Sequence, residues 1–156
     1  MALDNEPSTL IPRKVMDYYS ATVLSQVTEG LVGIDNETMK IVPRLATSWT
    51  KSSDGKQFTF TLRENVKFHP HKAFTSENDR ILTAKDVLKS FEMGCLPDDK
   101  GMEPATYSMI CKAVVEGADN FFQKKSTKIS GITVNDNKIT FKLIQSDHNF
   151  LYKLAN

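Results

Sequence analysis

The sequence predicts an α+β fold, an antiparallel or mixed sheet with flanking helices. Three observations predict it. Residues 57–63, QFTFTLR, alternate apolar and polar after an Asp54-Gly55 turn signal. Residues 132–143 repeat the alternation around Asp136-Asn137. Elsewhere apolar residues recur at helical spacing: Val23, Leu24, Val27 and Leu31, then Val87, Leu88 and Phe91. Both periods in one chain of single-domain length read as helices and strands around one core.

The elements follow in order. Residues 1–19 read as extended, because Pro7 and Pro12 disfavour helix at the residues before them. A helix starts near Ser20, capped by Ser20 or Asp17, and Gly30 is its expected stop. Residues 31–35, LVGID, read as a short strand, and residues 36–43 as a connection with a turn. Residues 44–52 form a strand carrying the only tryptophan, Trp49. Glycine accepts positive φ without penalty, so Asp54-Gly55 turns this strand into residues 57–63. There Phe58, Phe60 and Leu62 share one face, and Thr59, Thr61 and Arg63 the other, as in a half-buried antiparallel strand.

Residues 64–81 read as a polar surface loop with a short strand at 66–68. Thr83 and Asp86 stand at capping-box spacing, Val87, Leu88 and Phe91 form the buried stripe, and Gly94 is the expected stop. Residues 96–104 are a loop. Residues 105–125 read as two helices broken near Gly117. Residues 128–145 form the second hairpin, turning at Asp136-Asn137. A last helix is expected from Ser146 or Asp147, with Phe150, Leu151 and Leu154 apolar. An apolar helix opening so near the end predicts a fold that continues past Asn156.

A chain of 156 residues buries roughly 70% of its unfolded surface, enough for one real core. Apolar content of 40% and charged content of 25% are ordinary for a globular protein. A net charge of +1 gives no reason to expect nucleic acid or an anionic membrane as partner. The apolar runs are far shorter than a membrane span. The start, MALDNEPSTL, lacks the basic and apolar regions of a signal peptide, so a cytosolic protein and a trimmed exported one both fit.

Chemistry is sparse. Cys95 and Cys111 form no C-x-x-C and no zinc pattern. They fit two half-buried thiols, or a disulfide in an oxidising compartment. Their apolar surroundings would not lower a thiol pKa, and no G-x-S-x-G is present, so catalysis is not expected. The glycines are scattered and form no phosphate-binding loop, so no cofactor is implied. Lys124, Lys125 and Lys128 fit a solvated face. His69-Pro70-His71 offers two imidazoles, which could serve zinc, copper or nickel if they shared a strand face. Two ligands fall short of the three or four such a site needs, and Pro70 works against a strand. Solvated loop histidines are the plain expectation, and a metal-binding protein using His69 and His71 the alternative. Tyr18 and Tyr19, read as extended, would point to opposite sides, one inward and one toward a partner.

Several segments, in order, resemble the N-terminal part of bacterial extracellular solute-binding proteins of family 5, which serve ABC importers for oligopeptides, dipeptides and nickel. NEPSTLIP (residues 5–12) is similar to the family's lead-in segment ending Leu-Asp-Pro. VTEGLVGID (27–35) resembles its Glu-Gly-Leu region, and VPRLATSW (42–49) its Pro-x-Leu-Ala-x-x-Trp. Residues 52–69 resemble Asp-Gly-x-x-(Tyr/Phe)-Thr-Phe-x-Leu-Arg-x-x-Val-x-Phe-His. LTAKDVLKSFEM (82–93) resembles Leu-Thr-Ala-x-Asp-Val-x-x-Ser, and HNFLYKLAN (148–156) a Tyr- or Phe-rich helix start. There are departures. Ile11 replaces the usual Asp, His69-Pro70-His71 replaces His-Asp-Gly, and residues near 72–80 look inserted.

The resemblance implies a two-lobed periplasmic-binding-protein type II fold. Residues 1–19 would be the lead-in segment of the first lobe and 20–156 its smaller α+β subdomain. The rest of the first lobe and the second lobe would be absent. It implies a peptide or other small solute as ligand and an ABC permease as partner. It also implies a place in the periplasm or on the outer face of the cytoplasmic membrane, with or without a lipid anchor. In peptide-binding relatives, backbone just after the lead-in motif pairs with the bound peptide like an added strand. That stretch aligns with Met16, Asp17 and Tyr18, and the Asp17 carboxylate could meet a peptide amino group. Alternatively these residues only lead into the helix. A stand-alone interaction module with an exposed apolar patch is the remaining reading.

Overall fold

The computed structural model describes residues 4–98 and 100–155. Residues 1–3 of the expected lead-in, Asp99 of the expected loop and Asn156 lie outside them. The fold is α+β. A four-stranded antiparallel sheet runs in the order β3 (Ala46–Lys51), β4 (Gln57–Leu62), β6 (Lys138–Lys142), β5 (Ile132–Asn135). A two-stranded ribbon, β1 (Val32–Ile34) with β2 (Ile41–Pro43), stands beside it.

Local chemistry explains both hairpins. Asp54 Oδ1 accepts from the Ser52 hydroxyl (2.5 Å) and the Lys56 amide (3.0 Å), while Gly55 takes φ of 71°. That turn delivers β4 with Phe58, Phe60 and Leu62 all buried, as the alternation requires. In the second hairpin Asp136 holds φ of 51°. Central β6 sets Phe141 opposite Phe58 and Ile139 opposite Phe60. The ring centroids of Phe60, Phe91 and Phe150 stand 5.8, 4.9 and 5.6 Å from that of Phe141, so three elements meet on one side chain. Edge-to-face packing of this kind adds about 0.5–1.5 kcal/mol per pair beyond area burial.

β2 lies within residues expected as connection. Three residues are too few for alternation to show. The ribbon is closed instead by Asp35, whose Oδ1 accepts from the Thr38 amide (2.8 Å) and hydroxyl (2.7 Å). The strand expected at 66–68 reduces to one antiparallel bridge, Lys67 with Ile81.

Among the described residues, four α-helices accompany the strands. α1 (Tyr18–Val27) starts two residues before the expected Ser20, because Asp17 is the residue that caps it. Tyr18 and Tyr19 are therefore helical, not extended, with rings in T-shaped contact at 5.8 Å. α1 ends at Thr28, not Gly30: the Thr28 amide (2.9 Å) and hydroxyl (2.7 Å) both donate to the Leu24 carbonyl. α2 (Ala84–Cys95) begins where expected, with Asp86 accepting from the Thr83 amide (2.8 Å) and hydroxyl (2.6 Å). Gly94 does not stop it. Gly94 lies inside α2 because a Cβ there would sit 2.9 Å from Thr106 Cγ2, so it admits the neighbouring segment.

The helix expected before Gly117 is a single π-turn, Tyr107–Cys111. The chain then leaves helical geometry so that Val115 can bridge Leu143 at the sheet. α3 (Ala118–Phe122) follows the break at Gly117, and Tyr107 donates to Asp119 across it (2.8 Å). α4 (Phe150–Leu154) starts after Asn149, later than expected, since Asp147 instead accepts from the Asn149 amide (2.8 Å) and Lys153 (2.7 Å). α4 packs on β1, and the Leu154 carbonyl lies 3.2 Å from where a Cβ on Gly30 would sit. Cys95 and Cys111, expected half-buried, are both fully buried.

Truncating Phe141 to Ala removes the ring on which β4, α2 and α4 converge. The expected loss is about 3–5 kcal/mol of unfolding free energy, read from the midpoint of a urea titration. A loss under about 1 kcal/mol would contradict this account of the core.

Candidate functional site

Val15 and Asp17 are extended, at φ −72°, ψ 123° and φ −127°, ψ 155°. Between them the main chain of Met16 makes no hydrogen bond to any described residue. Its side chain is 80% exposed and that of the next-but-one residue, Tyr18, 68% exposed. Of the three residues singled out in the sequence, Met16 and Asp17 thus form an open, extended edge, and Tyr18 is already the first residue of α1.

The Asp17 carboxylate is already engaged there. Oδ1 accepts from the Ser20 amide (2.8 Å) and Oδ2 from the Ser8 hydroxyl (2.5 Å). Ser20, fully buried, accepts in turn from the Thr9 amide (3.2 Å), and Asn5 donates to the Tyr19 hydroxyl (3.1 Å). The lead-in chain is thereby tied to the first turn of α1. These bonds, the Ser20 amide first, lower the Asp17 pKa to about 2. Carboxylate oxygens have more acceptor positions than two donors fill, so the group can still meet a cation.

A second feature is a wide groove of about 860 Å³ that the sequence did not disclose. Ile11, Val27, Leu31, Leu45, Phe68 and Phe91 give it an apolar floor. Its residues come from seven separate stretches of chain, from Ile11 to Leu154, so no local pattern announces it. A bond between Arg63 and Glu29 (2.9 Å) joins the sheet to the end of α1 near its edge. Met16, Asp17 and Tyr18 do not line the groove.

His69 lies on that groove, whereas His71 Nδ1 accepts from the Ala73 amide (3.1 Å) within its own turn. Among the described residues no three His, Cys, Asp or Glu side chains gather to hold a metal. No described helix is long and apolar enough to cross a membrane.

Comparison with known proteins gives this geometry a context. The model of bacterial extracellular solute-binding proteins, family 5 Middle, matches residues 40–156. Heme-binding protein A of Haemophilus influenzae is 33% identical over 136 residues, covering 83% of this chain and 22% of that protein. The periplasmic murein peptide-binding protein MppA of Escherichia coli is 32% identical over 135 residues, covering 86% and 23%. The solved structure of the Escherichia coli murein tripeptide binding protein superposes with a TM-score of 0.77 at 29% identity, over 99% of this chain and 28% of that one. The chain thus spans under a quarter of the length of these two curated relatives.

The Asp17 cap carries a pH signature. Its folded pKa lies below the ordinary 3.8, so its stabilising effect is present above that value and lost as pH falls toward 2. Protection of the Ser20 amide, relative to its intrinsic exchange rate at each pH, is expected to fall over that interval and to be low throughout in Asp17→Ala. Unchanged Ser20 protection in the variant would contradict the cap.

Proposed function

This chain belongs to the bacterial extracellular solute-binding proteins of family 5, and on that premise we propose that it helps bind an oligopeptide for delivery to an ABC importer. It does so as part of a longer, two-lobed protein. Residues 1–19 are the lead-in segment of the first lobe and residues 20–156 its smaller subdomain. The chain covers 22% and 23% of two curated relatives, which supports a role as one part of such a protein. Work outside the cytoplasmic membrane, opposite a permease, follows from the family's extracellular character.

The observation that carries the peptide reading is the open edge at Met16. An extended segment with unpaired main-chain groups can take a peptide as an added strand, whatever its side chains. That suits a binder of varied peptides. One relative is named for heme and another for murein peptides, so family membership alone leaves the solute open. The edge is what favours peptide. Met16 and Tyr18 would flank the ligand, and the free acceptor positions of Asp17 would meet its amino group. The family is one of solute-binding proteins, and binding rather than catalysis is the reading here.

Only one wall of a pocket is contributed by this edge, and association has to offset the ligand's lost translational and rotational freedom. Calorimetric titration of the 156-residue chain with di- to pentapeptides is expected to show no micromolar binding. Micromolar affinity from this chain alone would overturn the two-lobed reading. In a protein carrying both lobes, Asp17→Ala is expected to weaken peptide binding on the order of tenfold, and N-acetylation of the peptide should abolish that difference.

A further inference from the structure

Cys95 is the last residue of α2 and Cys111 the last of the π-turn. α2 packs on that turn. Both thiols are fully buried there, and Cys95 lies near enough to Cys111 to act on its thiol. Their neighbourhood suits neither nucleophile nor metal ligand. The Cys95 contact, burial and the nearby Asp119 carboxylate all push the Cys111 thiol up, away from thiolate. No third ligand joins them among the described residues. The chemistry left to the pair is with each other.

We propose that Cys95 and Cys111 form an internal disulfide when the chain folds under oxidising conditions. Two S–H bonds break and one S–S bond forms. The two electrons and two protons pass to a small-molecule disulfide, which leaves as two thiols. Exchange takes place before burial is complete, since the folded chain encloses both sulfurs. Helix and turn then hold the bridge in the core.

The bridge closes the loop of residues 96–110. At its tip Gly101 and Met102 are exposed, and the Asp98 carboxylate accepts from the Lys100 (2.9 Å) and Met102 (2.7 Å) amides. Closing a loop of this size removes freedom from the unfolded chain, so the oxidised form is the more stable one. Export to an oxidising compartment would supply the conditions. The pairing itself does not rest on the solute-binding reading, because it follows from where the fold puts the two sulfurs.

The test uses the 156-residue chain, reduced, unfolded and refolded with glutathione disulfide in excess. The product is denatured, alkylated and digested for mass spectrometry. The expected result is a monomer with no alkylated cysteine and one linked peptide pair holding Cys95 and Cys111. Reduction is expected to lower the melting midpoint by roughly 5–10 °C, and Cys95→Ala/Cys111→Ala to show no such response. The proposal is overturned if both cysteines remain alkylatable, or if glutathione adducts or intermolecular dimers take the place of the linked pair. The peptide map of the unaltered chain decides the matter even if the double variant does not fold.

Discussion

The pairing of β4 with β6 is the constraint on which the rest of this fold depends. It joins Thr59 to Thr140, 81 positions apart, through their hydroxyls at 2.9 Å on one face of the sheet. On the other face the same register aligns Phe58 with Phe141 and Phe60 with Ile139. A slip by one residue would send these side chains to opposite faces. Until this contact forms, each hairpin has only one partner strand and no layer to cover. Once it forms, Phe91 of α2 and Phe150 of α4 have a surface to meet. Such a distant pairing has a loop-closure cost that is recovered only through the aromatic contacts it creates.

The same pairing separates scaffold from function. The conspicuous alternation of β4 forms the sheet interior, where it can touch no ligand. The open edge at Met16 lies outside the sheet, held by Asp17, Ser8 and Ser20 rather than by the core. Of α1 only Ser20 is buried, so this helix is anchored through hydrogen bonds more than through apolar packing. The solute-binding family to which the chain belongs is recognised from residues 40–156, whereas the proposed contact with ligand precedes them.

What could be read from the residues follows from how local each signal is. Asp54-Gly55 and Asp136-Asn137 decide their turns alone, and four or more alternating residues decide a strand face. β2 was missed because Ile41–Pro43 is too short to alternate. Gly94 misled because a glycine stops a helix only when its backbone leaves helical geometry. At Gly94 the missing side chain serves the approach of Thr106 instead. Asp17 was visible both as a cap and as a ligand group. Its bonds establish the first role, and its remaining acceptor positions leave room for the second. The groove beside Phe68 and Phe91 gave no local sign, since its walls meet only after the chain has folded.

The contact between Gly30 and Leu154 has a further consequence. The Leu154 carbonyl lies 3.2 Å from the position a Cβ on Gly30 would take. Gly30, just ahead of β1, and Leu154, in α4, therefore meet at nearly one point although they stand far apart along the chain. A unit whose two ends meet can be spliced into a loop of another body without stretching either connection. Gly30 and Leu154 mark where such a unit would be joined.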